Sequence, residues 1–258
     1  MRTLLRTAVL ATLTVTGLVA AGLPYSGKWK LNVAKSDFGE TTVSYEQVTG
    51  GGMKLTVDGV SYTFKTDGTE YPTPWGTTAA WKSIDATTWE AVNRAKGKVI
   101  ATDTLNVSVD GKTLTVNSKV MKATGEASND TIAYQRVSGG PGLAGKWKTA
   151  NLKISSPGVL EIIGKGADGL VLTYIDQQGV CDGKLDGKDY PADGPMWSSG
   201  WTCTLAKNGD SAFDITWKKD GKALYKSTLS ALADGKTLTE MGGAVGTTER
   251  IKAIYDLQ

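Results

Sequence analysis

The chain repeats itself. Ser26-Gly27-Lys28-Trp29-Lys30 returns as Ala144-Gly145-Lys146-Trp147-Lys148, and Asp67-Gly68-Thr69-Glu70-Tyr71-Pro72 returns as Asp186-Gly187-Lys188-Asp189-Tyr190-Pro191. Asp110-Gly111-Lys112-Thr113-Leu114-Thr115 recurs without change as Asp234 to Thr239. The offsets are 118 (Gly27 to Gly145), 119 (Asp67 to Asp186) and 124 (Asp110 to Asp234), collinear apart from a small insertion. A period far beyond the ~20 to 50 residues of solenoid repeats means that each copy must enclose a core of its own. The breaker-rich stretch Ser138-Gly139-Gly140-Pro141-Gly142 separates the copies. The reading is therefore one domain over residues 22–138, a linker at 139–143 and a second domain over 144–258.

Within each copy the apolar residues alternate. Trp29, Leu31 and Val33 interleave with Lys28, Lys30 and Asn32, and Val60-Tyr62-Phe64, Leu105-Val107-Val109 and Phe213-Ile215-Trp217 follow the same period. Period two is the mark of strands with one face buried. Nine Asp-Gly dipeptides and Asn208-Gly209 lie between these runs, each suited to the positive φ angles of a tight hairpin. Glycine is abundant at 32 of 258 residues, and no window of the chain beyond its N-terminus carries a helical stripe. The expected class is all-β, with eight to ten short antiparallel strands per copy. Closure removes sheet edges, so two tandem up-and-down barrels are preferred over a pair of immunoglobulin-like sandwiches.

Gly27-Lys28-Trp29 and Gly145-Lys146-Trp147 stand at the opening of the two copies. In this the chain resembles the lipocalins and related calycin barrels, whose first strand begins with Gly-x-Trp. That resemblance implies a tryptophan closing one end of each barrel and an arginine of the last strand packed over it. Arg136 is the candidate in the first copy and Arg250 in the second. It also implies an apolar ligand held inside a barrel, although a fold by itself does not establish a function.

Residues 1–21 have the three parts of a secretory signal peptide in order: Arg2 and Arg6, an apolar run from Ala8 to Ala20, and the small-residue exit Val19-Ala20-Ala21. The mature chain is expected to begin near Gly22, secreted or periplasmic, with no integral membrane segment after processing. In an oxidising compartment Cys181 and Cys203, the two cysteines of the chain, are expected to pair.

There is no histidine. This excludes Ser-His-Asp and Cys-His catalysis and histidine-ligated metals. Two cysteines are too few for thiolate clusters. Calcium needs only oxygen ligands, but Asp182 to Asp189 lacks the closing bidentate Glu and is interrupted by lysines, so neither a metal nor a cofactor is expected. Twenty-nine basic and 26 acidic residues leave a net charge of +3, without the clustered basic surface of a nucleic-acid binder.

Eight Trp and nine Tyr against three Phe favour side chains with an apolar body and a polar tip, which suit an amphipathic ligand or a sugar ring as well as a packed core. By strand parity Tyr45, Tyr62, Phe64, Trp89 and Tyr134 line the first interior. Trp201, Phe213, Trp217 and Tyr225 line the second. Trp75, Trp81, Trp197 and Trp201 follow the Tyr-Pro motifs, with Trp197 in a Gly/Pro/Ser-rich loop that faces a barrel mouth, and Arg136 is a candidate polar anchor. The leading expectation is a binding protein for a small apolar or amphipathic molecule. The alternatives are a cell-envelope interaction or carbohydrate-binding module that takes a glycan on its loop tryptophans, and a cofactor-free cyclase or isomerase acting on a lipid-like substrate. The enzyme would need an inward acid or lysine, for which parity nominates Asp85. The acids of the repeated turn, Asp67 with Glu70 and Asp186 with Asp189, read as hairpin geometry.

Overall fold

The computed structural model describes residues 23–258, so the expected signal peptide lies outside the described residues. The described residues are all-β: twenty antiparallel strands in two ten-stranded, barrel-like sheets, plus a 3-10 turn at Val33–Lys35. In chain order the first half contributes β1 (Gly27–Leu31), β2 (Thr42–Val48), β3 (Gly52–Val57), β4 (Val60–Phe64) and β5 (Asp67–Pro72). These are followed by β6 (Thr78–Ser83), β7 (Thr88–Ala95), β8 (Lys98–Val107), β9 (Thr113–Met121) and β10 (Ala127–Ser138). The second half contributes β11 (Gly145–Lys153), β12 (Val159–Lys165), β13 (Gly169–Tyr174), β14 (Gly179–Lys184) and β15 (Asp186–Asp193). It ends with β16 (Trp201–Lys207), β17 (Ala212–Lys219), β18 (Lys222–Ala231), β19 (Thr237–Ala244) and β20 (Ile251–Leu257).

The sheets do not follow the sequence division at 139–143. The two Gly-Lys-Trp strands are exchanged: β1 lies between β12 and β20 in the second barrel, and β11 lies between β2 and β10 in the first. After β1 the chain crosses to β2, and after β11 it crosses back to β12. The crossings are tied down by Asp37 bridging Lys252 and by the Thr149 amide donating to the Thr41 carbonyl.

Tight turns are set where the residue chemistry demands them. Asp58-Gly59 and Asp220-Gly221 have positive φ at both residues, the requirement of a two-residue hairpin that continues the strand twist. Asp67 and Asp186 serve turn geometry before the positive-φ Gly68 and Gly187. Each sits at a bulge opening β5 or β15, where its carboxylate accepts from the backbone two residues on and from Tyr71 or Tyr190 at 3.0 Å. Val109, which the alternation placed in a strand, stands fully exposed in the β8–β9 turn.

Both barrels are finished in the same way at one end. Trp29 and Trp147 are fully buried, and their indole nitrogens donate to the carbonyls of Tyr25 (2.9 Å) and Leu143 (3.0 Å), each four residues earlier. They differ in closure. The second barrel is complete: β14 pairs with β15 through Val180 with Asp193 and Cys181 with Ala192, and the Cys181–Cys203 disulfide ties β14 to β16 across β15. The order of the first sheet ends at β4 on one side and β5 on the other, with no ladder between them.

Candidate site between the barrel mouths

The ends opposite Trp29 and Trp147 face each other. Hairpins there make the contacts between barrels: Lys96 reaches Asp193 at 2.6 Å, and Ser198 Oγ donates to the Trp75 carbonyl at 2.6 Å. Lys122 pairs with Asp176 at 3.1 Å, and the Ala123 amide donates to the Asp176 carbonyl. Between the mouths lies a cavity of about 660 Å³. Its second-barrel wall is aromatic, built from Tyr174, Trp197, Trp201, Trp217 and Tyr225, with Met196 on the same loop as Trp197. The first barrel presents smaller groups to it, among them Thr77, Ala101 and Val120, together with Trp75.

Strand alternation explains which side chains reach the cavity. Trp217 and Tyr225 are opposite one another on β17 and β18, and Tyr174 ends β13, so all three lie on inward faces near the mouth. The Trp197 ring packs edge-on against Trp217 (5.2 Å between ring centres) and tilted against Tyr174 (5.9 Å), while its nitrogen donates to Gln177 at 2.8 Å. Such aromatic contacts prefer tilted geometry and hold the rings in place.

One acid also lines the cavity. Glu240, on β19, is 6% exposed; its Oε1 accepts from Ser227 Oγ at 2.7 Å and its Oε2 from the Tyr255 hydroxyl at 2.9 Å. Burial first, and the Glu240 charge second, push the Tyr255 and Tyr225 hydroxyls well above the usual tyrosine range, so both remain protonated donors. The first barrel holds its own inward acid. Asp103 on β8 accepts from Asn93 at 2.8 Å and from Ser118, and burial raises its pKa above the usual value of 3.8 while those hydrogen bonds oppose the rise. Burial raises Tyr62 and Tyr134 of that interior to about 12, with the Asp103 charge adding to both.

No protein-family model matches the chain, and no curated protein matches it either.

The residues nominated from the sequence divide into two groups. Trp197, Trp201, Trp217 and Tyr225 meet at the cavity. Tyr45, Phe64, Trp89 and Tyr134 are buried in the first core with the half-buried Tyr62, and Phe64 stacks on Trp81 with ring centres 4.3 Å apart. Phe213 is fully buried against Tyr25 at the closed end of the second barrel, away from the cavity. Of the four tryptophans that follow the Tyr-Pro motifs, Trp81 lies inside the first barrel, with its nitrogen donating to the Tyr62 hydroxyl.

Arg136 lies at the Trp147 end of the first barrel and does not line the cavity. Its guanidinium lies 3.9 Å from the centre of the Trp147 ring and donates to the carbonyls of Gly111, Gly140, Gly142 and Ala144, which commits four of its five donors within the protein. Because of the strand exchange, the tryptophan it covers comes from the second copy. Arg250 covers no tryptophan; it donates to Thr247 and Glu249, and Leu257 stands opposite Trp29 in the place equivalent to Arg136. Asp85 is also corrected: it is exposed in the β6–β7 turn, accepting from Thr87 at 2.8 Å.

Sequence reasoning missed Tyr174, Met196 and both inward acids. Asp103 was accessible, since it shares a face with Leu105 and Val107. Glu240 follows Leu238 by the same rule, but its neighbours Met241 and Gly242 obscure the alternation.

Proposed function

We propose that this protein binds a small apolar or amphipathic molecule in the cavity between its two barrel mouths. The observation that carries this reading is the cavity itself. Its volume of about 660 Å³ falls within the roughly 300–1,000 Å³ of small-molecule sites, and predominantly aromatic walls with a few convergent polar groups are the composition of such sites. Here the polar groups include Glu240, Ser198, Gln177 and Thr77.

The protein acts outside the cytoplasm on this reading. The Cys181–Cys203 disulfide supports that placement, because such bonds persist in oxidising compartments, and it agrees with the secretory character of residues 1–21. A lipocalin-like origin is supported by the buried Gly-x-Trp tryptophans and by Arg136 over Trp147. Each sheet has ten strands rather than the eight of lipocalins, and the cavity lies between the two mouths rather than inside either packed interior.

Titration of the disulfide-bonded protein with the neutral fluorophore N-phenyl-1-naphthylamine tests the reading. Saturable enhancement at about one probe per chain is expected. Ala101→Tyr, which places a large ring at the first-barrel wall, should weaken it by about tenfold or more. No enhancement in the unaltered protein would overturn the proposal.

A further inference from the structure

Glu240 is a carboxylate without a cation. Among the described residues it makes no ion pair, and its two partners, Ser227 and Tyr255, are neutral hydroxyls. A buried carboxylate is costly unless it is paired as well as hydrogen-bonded. Each carboxylate oxygen accepts one hydrogen bond here and can accept another. The surrounding basic residues are committed elsewhere or face outward. Arg250 is held by the Thr247 and Glu249 carbonyls, Lys219 pairs with Asp220, and Lys226 and Lys252 lie on the exposed faces of β18 and β20. Tyr174, Trp217 and Tyr225 line the same cavity as the carboxylate. Electron-rich ring faces beside a desolvated anion form an environment that attracts a cation from both sides.

We propose that the cavity selects a molecule with a positively charged amine, seated against Glu240 and the rings of Trp217 and Tyr225, with its apolar body lying toward Met196 and the first barrel. This rests on the ligand-binding reading above and names the ligand's chemical class. The second barrel holds the charge-recognising groups, and the first supplies the neutral wall of Ala101 and Val120.

Three probes of equal chain length test this: octylammonium, octan-1-ol and octanoate, titrated calorimetrically near pH ~7, where the amine is charged and the acid ionised. Octylammonium should bind about tenfold or more tightly than octan-1-ol, since a charge-assisted hydrogen bond is the stronger kind, and octanoate should be weakest. Glu240→Gln should bring octylammonium down to the affinity of octan-1-ol while leaving octan-1-ol within about twofold. Trp217→Leu, which removes a ring but not the charge, should weaken octylammonium more than octan-1-ol. If Glu240→Gln does not fold, the ranking in the unaltered protein decides. Equal or tighter binding of octan-1-ol, or a preference for the amine that survives Glu240→Gln, overturns the inference and leaves the cavity reading standing. Failure of all three probes and of N-phenyl-1-naphthylamine overturns both.

Discussion

The two barrels carry their aromatic side chains at different depths. Following the ladders from Trp29 opposite Leu160 and Trp147 opposite Val43 aligns the two interiors position by position. In the deep half, Tyr45, Phe64, Trp81 and Trp89 of the first barrel correspond to Ile162, Gly183, Leu205 and Phe213 of the second. Near the mouth the bias reverses: Val57, Thr77, Asn93 and Ala101 correspond to Tyr174, Trp201, Trp217 and Tyr225. One barrel fills its base and leaves its mouth thin, while the other fills its mouth with rings. The cavity forms because the thin mouth faces the ringed one. Neither copy would show it alone, since close packing is a property of facing surfaces.

Closure differs along with filling. The positions of Cys181 and Cys203 are occupied in the first copy by Tyr62 and Ala79. Where the second barrel has a disulfide and a short ladder, the first has a packed tyrosine whose hydroxyl accepts from Trp81 at 3.0 Å. Gly183 shows the same division of labour: a Cβ there would lie 2.5 Å from the Tyr190 ring, whereas the equivalent Phe64 is the floor of the first core.

Phe64→Ala should break this contrast most severely. Removing a fully buried ring stacked on Trp81 costs about 3–5 kcal/mol, measured by urea unfolding, with the signal from Trp81 and Trp89 responding first. The double variant Cys181→Ala/Cys203→Ala removes the second barrel's own closing device. Its expected loss is about 3 kcal/mol for the 22-residue separation, and reducing agent should reproduce it in the unaltered protein and have no effect on the variant.

Arg136→Leu makes the end of the first barrel like that of the second, where Leu257 already stands opposite Trp29. The loss of the guanidinium over Trp147 and of its carbonyl contacts should cost about 1–3 kcal/mol, again read by urea unfolding. No matching loss is expected for Arg250→Leu, which covers no tryptophan.

The smallest effect distinguishes the inward acids. Burial raises the pKa of Asp103 in the folded state above its usual 3.8, so the folded chain binds its proton more tightly than the unfolded chain does. The stability from this group is complete below the unfolded pKa and is lost as pH rises through the folded value. Relative to Asp103→Asn, the unaltered protein should therefore lose stability as pH climbs above 3.8. Paired unfolding curves across that window would show a difference of the opposite slope if Asp103 were instead stabilised in its charged form.

Much of this architecture was legible in the residues. Alternation placed Tyr45, Phe64, Trp89, Trp217 and Tyr225 on inward faces, and the repeated Gly-Lys-Trp marked the strand that closes each barrel end. The pairing of Cys181 with Cys203 followed from number and compartment. The position of Trp197 at a mouth was readable from its loop, but its packing on Trp217 and Tyr174 was not, because those rings arrive from strands distant in the chain.

Sequence by itself determined the class of fold, since a period of two with Asp-Gly turns admits little besides antiparallel strands, and it determined the duplication. Only the tertiary structure decided which barrel each Gly-Lys-Trp strand completes. The two strands share the same opening residues and present nearly the same buried edge, so local preference cannot tell one partner sheet from the other; the geometry of the crossings does. The cavity and the unpaired Glu240 were decided at that level too, because both depend on how volume and charge balance across surfaces that meet only when the barrels stand mouth to mouth.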